Sequence, residues 1–445
     1  MKETVRIGWG SAYADDNLDP AEDLAQFGRL DALCFDALAE RTLALAQIRR
    51  RHDPLQGYDL RLDEFGRRFL PYAAQGLKLV TNMGAANPMA AAHRLSQIAQ
   101  EMGLGTVRIA AVTGDDVTDA ILALDPLLDE NGRALSQMPG KPVCANAYIG
   151  AEPLVQALNQ GADVVVGGRI ADPSLGLAVL RHGFGWSDTD WNRLGQGIVV
   201  GHVLECGTHV TGGNFADPPY RVVPHLDRLG MPLAEVKGDG SAIIGKLDSS
   251  GGMVTTETVK AQLVYEIHNP AQYFTPDVTA DFCGVEVLPI GPDRVMVVGG
   301  RGTARPQTLK VLVGIDEGWH AEAEISFAGP GAYERARLSQ QILLQRVEHY
   351  DRQDVAEVRC DLIGINAIFG PASPQPASFP EDVRVRLAAH TWHQDTAERL
   401  TREVEWQYFG PSGGGGVRRR VTPRLAMYST RIDAQAVRPR VAFIG

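Results

Sequence analysis

LKLVTNMGAANPMAAAHRLSQIAQEMGL, residues 77–104, decides the fold class. A short apolar run breaks at once into Asn82, Gly84 and Asn87. From there, apolar residues recur at helical spacing. Asn87 is a residue type that caps helices, and Pro88 stands at the first helical position, where a fixed φ and a missing N–H are harmless. The stretch therefore reads strand, polar turn, helix. The same order appears in VRIGWGSAY (5–13), VRIAAVTGDDV (107–117) and ADVVVGGRIADPSLGLAVLRHGF (162–184). Apolar strands alternating with helices of ten residues or more form βαβ units on a parallel sheet. LDALCFDALAERTLALAQIRRR (30–51) reads as one helix, with Leu33, Ala37, Leu38, Thr42 and Leu45 on a common face.

Ligands of such sheets sit beyond the carboxyl ends of the strands. The turns there, residues 8–16, 81–87, 113–117, 145–150 and 167–174, are rich in Gly, Asn, Asp and hydroxyl groups. After about residue 220 the texture becomes alternating strands with few helices. The prediction is an α/β protein: a Rossmann-like parallel-sheet domain over 1–219 carrying the site, an α+β domain over 220–375, and a C-terminal section over 376–445 with a Gly/Arg-rich loop.

Composition narrows the function. The 445 residues exceed what one core usually holds, and a net charge of −11 argues against nucleic acid. Five cysteines without a CxxC pair read as reduced thiols. The N-terminus lacks a signal-peptide core, and no run approaches the roughly 20 apolar residues of a membrane span. A soluble cytoplasmic protein is expected.

GGRIADPS (167–174) is the most informative turn. Gly168 lets backbone approach a ligand, Arg169 presents a fork to a carboxylate or phosphate, Asp172 is a candidate base, and Ser174 opens the next helix. A plain turn held by an Arg–Asp pair is the structural alternative. Asp115 and Asp116 form a second acidic pair, able to share a proton, hold a divalent cation or cap a helix. In GHVLECGTHVTGGNFADP (201–218), helical spacing puts His202, Glu205, Cys206 and His209 on one face. These are zinc donors, though not at the spacing of a known zinc motif, and Cys206 is a candidate nucleophile or an inert buried thiol. Thr211 and Gly212 follow, the glycine as a helix stop. SSGGMVTTETV (249–259) offers an anion cradle without Walker-A lysine spacing, and GWGSAY lacks the dinucleotide fingerprint. GPSGGGGVRRR (410–420) opens a basic tail of seven arginines against one aspartate, with Gly413 and Arg418 as phosphate or carboxylate contacts, or as a hinge.

Taken together, TNxGxxNP (81–88), GDD (114–116), NAYIGAEP (146–153), GADVVVGGRIADPSL (161–175), GHVLECGTHVTGGNFADP and GPSGGGGVRRRVTPRLAMYST (410–430) resemble the acyclic terpene utilisation family, AtuA, over nearly the whole chain. The resemblance implies catabolism of branched or terpenoid carboxylic acids through acyl-CoA thioesters. The expected activity is a hydratase, hydro-lyase or C–C lyase acting on an acyl-CoA or small carboxylate. The alternatives are a non-catalytic binding or scaffold subunit needing a small partner, and a metal-dependent hydrolase or lyase. Asp172 or Asp116 would be the base, Arg169 the carboxylate anchor, and Asn82, Asn146 and Tyr148 the donors to an enolate oxygen, with Glu205 and Cys206 in second rank. No cofactor is assigned, a divalent metal staying open. The partners are a small carboxylate or acyl-CoA, neither nucleic acid nor membrane, a homo-oligomer, and a separate small subunit of the family.

Overall fold

A computed structural model describes residues 2–374, 378–410 and 412–444, so the expected boundary at 375/376 lies outside the described residues. The fold is α/β, and the chain divides into two compact units. The larger holds Met1–Ser136, Val143–Gly314 and Met427–Gly445; the smaller holds Gln137–Pro142 and Ile315–Ala426.

The larger unit is built on a ten-stranded sheet. Its centre is five parallel strands in the spatial order Thr4–Trp9, Ala32–Phe35, Lys78–Thr81, Val164–Gly167, Ile109–Thr113. Alternation sorts their side chains. Val5, Ile7 and Trp9 face the helix Asp172–Phe184, whose Gly176 and Gly183 admit them, while Gly8 leaves room for Leu24, Leu30 and Leu33. On that second face Leu33, Phe35, Leu79, Ile109 and Val164 join residues of the helices Asp19–Phe27, Leu62–Ala74 and Pro88–Glu101 in one core. Phe35 meets Phe65 and Phe69 edge-on, at 4.9 Å between each pair of centroids.

Antiparallel strands extend both edges. Leu233–Lys237, Ala242–Gly245, Arg294–Val298 and Glu286–Gly291 follow Thr4–Trp9 on one side, and Arg440–Ile444 pairs with Ile109–Thr113 on the other. The change of texture near residue 220 thus marks a switch from parallel to antiparallel pairing in the same sheet. A small sheet of Tyr273–Phe274, Thr279–Asp281 and Arg301–Thr303 adjoins the helix Trp191–Glu205, whose Gly195 would drive a Cβ to 2.0 Å from the Arg301 carbonyl. In the smaller unit, Val355–Ile363, Asp382–Thr391 and residues 319–328 form antiparallel pairs. Their apolar face packs on the helices Ala332–Val347 and Gln394–Trp406 through Ile325, Phe327, Leu343, Val385 and Val404.

The segment 30–51 departs from the expected single helix. Ala32–Phe35 is a fully buried strand and the helix begins only at Glu40. A four-residue strand buried on both faces has no alternation, so periodicity cannot separate it from a buried helical turn. Among the described residues, no helix is long and apolar enough to cross a membrane.

Candidate functional site

The strand Val164–Gly167 is hydrogen-bonded to Lys78–Thr81 on one side and Ile109–Thr113 on the other, so the turns after all three are neighbours. Gly84 tightens this junction: a Cβ there would lie 2.5 Å from the Gly167 carbonyl. Tyr148–Ile149 joins the same rim through the Ile149 N–H, which donates to the Arg169 carbonyl at 3.0 Å.

Arg169 is the centre of the cluster and is only 1% exposed. Its guanidinium donates to the carbonyls of Leu38 and Ile170 and to the Asp172 carboxylate, and it lies 4.6 Å from the Tyr148 ring centroid. Its backbone N–H donates to the buried Asp115 carboxylate at 2.9 Å, and the Asn146 amide donates to the same oxygen at 2.9 Å. Gly168 is required by this arrangement, because a Cβ would sit 2.6 Å from both Asp115 oxygens. Asn82 is buried and spent: it accepts from the Ala37 N–H at 2.7 Å and donates to Asp36 at 2.6 Å. Ser11, from the 8–16 turn, donates to the Asp36 carbonyl at 2.7 Å.

Two acidic pairs result. Burial, reinforced by the neighbouring Asp172, pushes the Asp36 carboxyl well above its usual range, against the pull of Arg169 and Asn82. Burial raises Asp172 too, opposed by Arg169, yet a third of its side chain reaches solvent. The second pair is His202 and Glu205, with Nδ1 2.7 Å from the carboxylate. Burial pushes Glu205 up to about 7, the imidazole pulling down and Asp172 and Glu266 adding to the rise. Burial opposes charge on His202, but Glu205 outweighs it and its pKa is raised. His202 Nε2, Glu205 Oε2 and Gln262 Oε1 are all buried without a hydrogen-bond partner. Buried polar atoms normally have one, so three such atoms on neighbouring side chains set this cluster apart. Tyr273 and Phe282 pack on the imidazole, at 5.7 and 5.6 Å between centroids.

The helices Asp172–Phe184 and Trp191–Glu205 bring the pairs together by close backbone approach. A Cβ on Gly201 would lie 2.5 Å from the Pro173 carbonyl and 2.8 Å from its Cα. Gly201→Ala is expected to destabilise by about 1–3 kcal/mol, read by urea denaturation. An unchanged midpoint would mean that the helices are not held this tightly.

Several sequence expectations change role. Asp116 turns outward to Arg50 at 3.4 Å and to Thr118, and Asp115 is the carboxylate that meets Arg169. The Asn82 and Asn146 amides are buried and each donates inside the protein, to Asp36 and Asp115; Tyr148 is half-buried at the rim, with Lys310 5.2 Å from its centroid. Ser174 donates to Asp277 at 2.6 Å. The Cys206 thiol is pushed up to about 12 by burial and by Glu205, which opposes the thiolate a nucleophile needs. His209 leaves the shared face because the helix ends at Glu205 and a tighter turn follows; it packs on Tyr265. Among the described residues no group of three His, Cys, Asp or Glu side chains is arranged to hold a metal. Thr211 donates to the Gly230 carbonyl at 2.7 Å, and Gly212 adopts φ +108° against Val223. In the 249–259 stretch Gly251 accommodates the His225 carbonyl, so the glycine serves backbone packing. Gly413 and Arg418 belong to the smaller unit. Asp36, Gln262 and Tyr273 are the cluster members that sequence reading passes over, while Asp115 reads as a cation-holding or capping carboxylate and His202 as a zinc donor.

The titrations carry a stability consequence. A group whose folded pKa is raised binds more protons when folded, so its stabilisation is complete below the unfolded pKa and lost as pH rises through the folded one. For Glu205 that window runs from the usual carboxylate value to about 7, and His202 acts in the same direction. The thermal midpoint is expected to fall by several degrees from pH 5 to pH 8, with Glu205→Gln flattening the slope. A midpoint rising over this range in the wild type would contradict the assignment.

A model of the acyclic terpene utilisation family protein AtuA matches residues 5–443. No curated protein matches. A solved homoserine dehydrogenase from Thiobacillus denitrificans aligns at 11% identity over 91% of this chain and 87% of its own, with a TM-score of 0.14, a likeness that carries no structural argument.

Proposed function

The chain belongs to the acyclic terpene utilisation family, AtuA, and on that premise we propose that it is an enzyme of branched carboxylic-acid breakdown working by proton transfer beside a carbonyl. The reaction class is addition or removal of water, or cleavage of a carbon–carbon bond, on an acyl thioester or small carboxylate. Family membership supports the link to acyclic terpene use. One observation supports the chemistry: two buried proton-holding pairs, Asp36 with Asp172 and Glu205 with His202, coupled through the Asp172–Glu205 interaction.

Asp172, the solvent-reachable carboxylate, takes the proton next to the carbonyl, and Arg169 holds it in place. The Glu205–His202 pair returns or donates a proton at the oxygen that departs or arrives. Groups whose surroundings keep them protonated near neutral pH suit such exchange. Tyr148 and Lys310 at the rim supply a hydroxyl and a cation for the carbonyl or carboxylate oxygen.

The test is a panel of branched acyl-CoA thioesters and free hydroxy acids incubated with the purified protein in deuterium oxide. Deuterium entering the position next to the carbonyl, read by NMR, is the expected result even where net turnover is slow. No exchange and no turnover on any member would remove the enzyme reading.

A further inference from the structure

Beside the acid–base cluster, the larger unit has a second feature: an open cavity of about 820 Å³ whose wall carries Arg50, Arg51, Arg438 and Arg440, with Gln47 and Thr118. Asp116 and Asp119 also face it, so arginines outnumber acids two to one in a chain of net charge −11. The arginines come from two directions. Arg50 and Arg51 lie in the last turn of the helix Glu40–His52, and Arg440 begins the edge strand Arg440–Ile444, in register with Thr113. Gly114 fixes the second pair: at φ +102° a Cβ there would lie 2.3 Å from the Arg438 carbonyl and 2.9 Å from the Pro439 Cα.

The guanidinium groups are only partly spent. Arg50 uses one terminal nitrogen, on the Ala86 carbonyl at 2.8 Å and on Asp116 at 3.4 Å, and Arg51 uses one on the Val143 carbonyl. Among the described residues, no hydrogen bond or ion pair engages the side chains of Arg438 or Arg440. Each guanidinium has five N–H donors in a planar fork that matches phosphate oxygens. Two such pairs lining one cavity exceed the needs of one phosphate, and the volume is that of a small-molecule site. The cavity wall also reaches the acid–base cluster through a continuous chain. The Gln47 amide donates to Asn146 at 3.3 Å, Asn146 donates to Asp115, and Asp115 accepts from the Arg169 N–H.

We propose that this cavity binds the diphosphate group of a small organic ligand. That the ligand is the substrate's carrier end rests on the acid–base reading above; binding of the diphosphate does not. The probes are inorganic pyrophosphate and ADP, titrated into the full-length protein by calorimetry at low and moderate salt. Saturable 1:1 binding is expected, tighter for ADP and weakening with salt. Arg438→Ala with Arg440→Ala should weaken it at least about tenfold. Arg67→Ala, which removes an arginine paired with Glu101 outside the cavity, should leave it unchanged. Thermal midpoints confirm that each variant is folded.

Absence of saturable pyrophosphate binding, or equal weakening by the Arg67 variant, overturns the site. No gain from ADP over pyrophosphate overturns the organic ligand. Diphosphate binding in a protein that exchanges no proton on the substrate panel would sustain this site and remove the enzyme reading; exchange without diphosphate binding does the reverse.

Discussion

Replacing Arg169 by alanine is expected to lower the unfolding free energy by about 3–5 kcal/mol, the range for breaking a buried ion pair from one side. The guanidinium is buried against the Tyr148 ring and engages the carbonyls of Leu38 and Ile170 as well as Asp172. Without it two buried carbonyls lose a charged donor, and the Asp172 carboxylate loses its counter-charge. Lysine is not a substitute. Its single ammonium cannot reproduce a fork that holds three groups at once, so Arg169→Lys should recover only a minor part of the loss. Equilibrium urea denaturation measures both. A loss below about 1 kcal/mol for alanine, the level of an exposed pair, would show that this arginine is free to serve a ligand and that its internal contacts are incidental.

The same residue shows where reading a sequence succeeds and where it stops. GGRIADPS announces a turn at a strand end, and Asn87 with Pro88 announces the helix after the neighbouring strand; its side chain accepts from the Ala90 N–H at 3.3 Å. Local patterns of this kind depend on a few adjacent residues, so they survive folding. What Arg169 touches does not, because Leu38 is 131 positions away and supplies a carbonyl that every residue possesses. Asp36 was hidden by a different cause: the strand it follows is short and buried on both faces, so the stretch reads as a helix and its aspartate as one more helical acid. The expected common face of His202, Glu205, Cys206 and His209 assumed four further residues of helix, whereas Gly207 at φ +52° lets the chain turn. His202 and Glu205 kept the i, i+3 relation, and only tertiary packing brings Gln262, Tyr273 and Phe282 against them. The pairing of Arg440–Ile444 with Ile109–Thr113 was not legible, since register across more than 300 residues leaves no local trace.

Asp172→Asn should reduce kcat/KM by about 10²–10⁴-fold, the usual worth of a positioned general base or acid, while the protein remains folded. The amide keeps the shape and can still meet Arg169, so the fold loses one charged hydrogen bond at a side chain that is a third exposed. The lost function is proton acceptance, and no neighbour replaces it: Asp36 is buried, and its pKa is raised while Asp172 is charged. Glu205→Gln should give a loss of similar size with a different signature. With Asp172 intact, the pH profile retains the limb set by the base and loses the one set by the Glu205–His202 pair, whose carboxyl is pushed up to about 7. If both variants shift KM alone, or if both lose activity with unchanged pH limbs, the carboxylates bind or brace the substrate and the proton transfer belongs to other groups. A full loss for Asp172→Asn together with a missing limb for Glu205→Gln requires two separate proton-handling groups, which is the arrangement the two buried pairs provide.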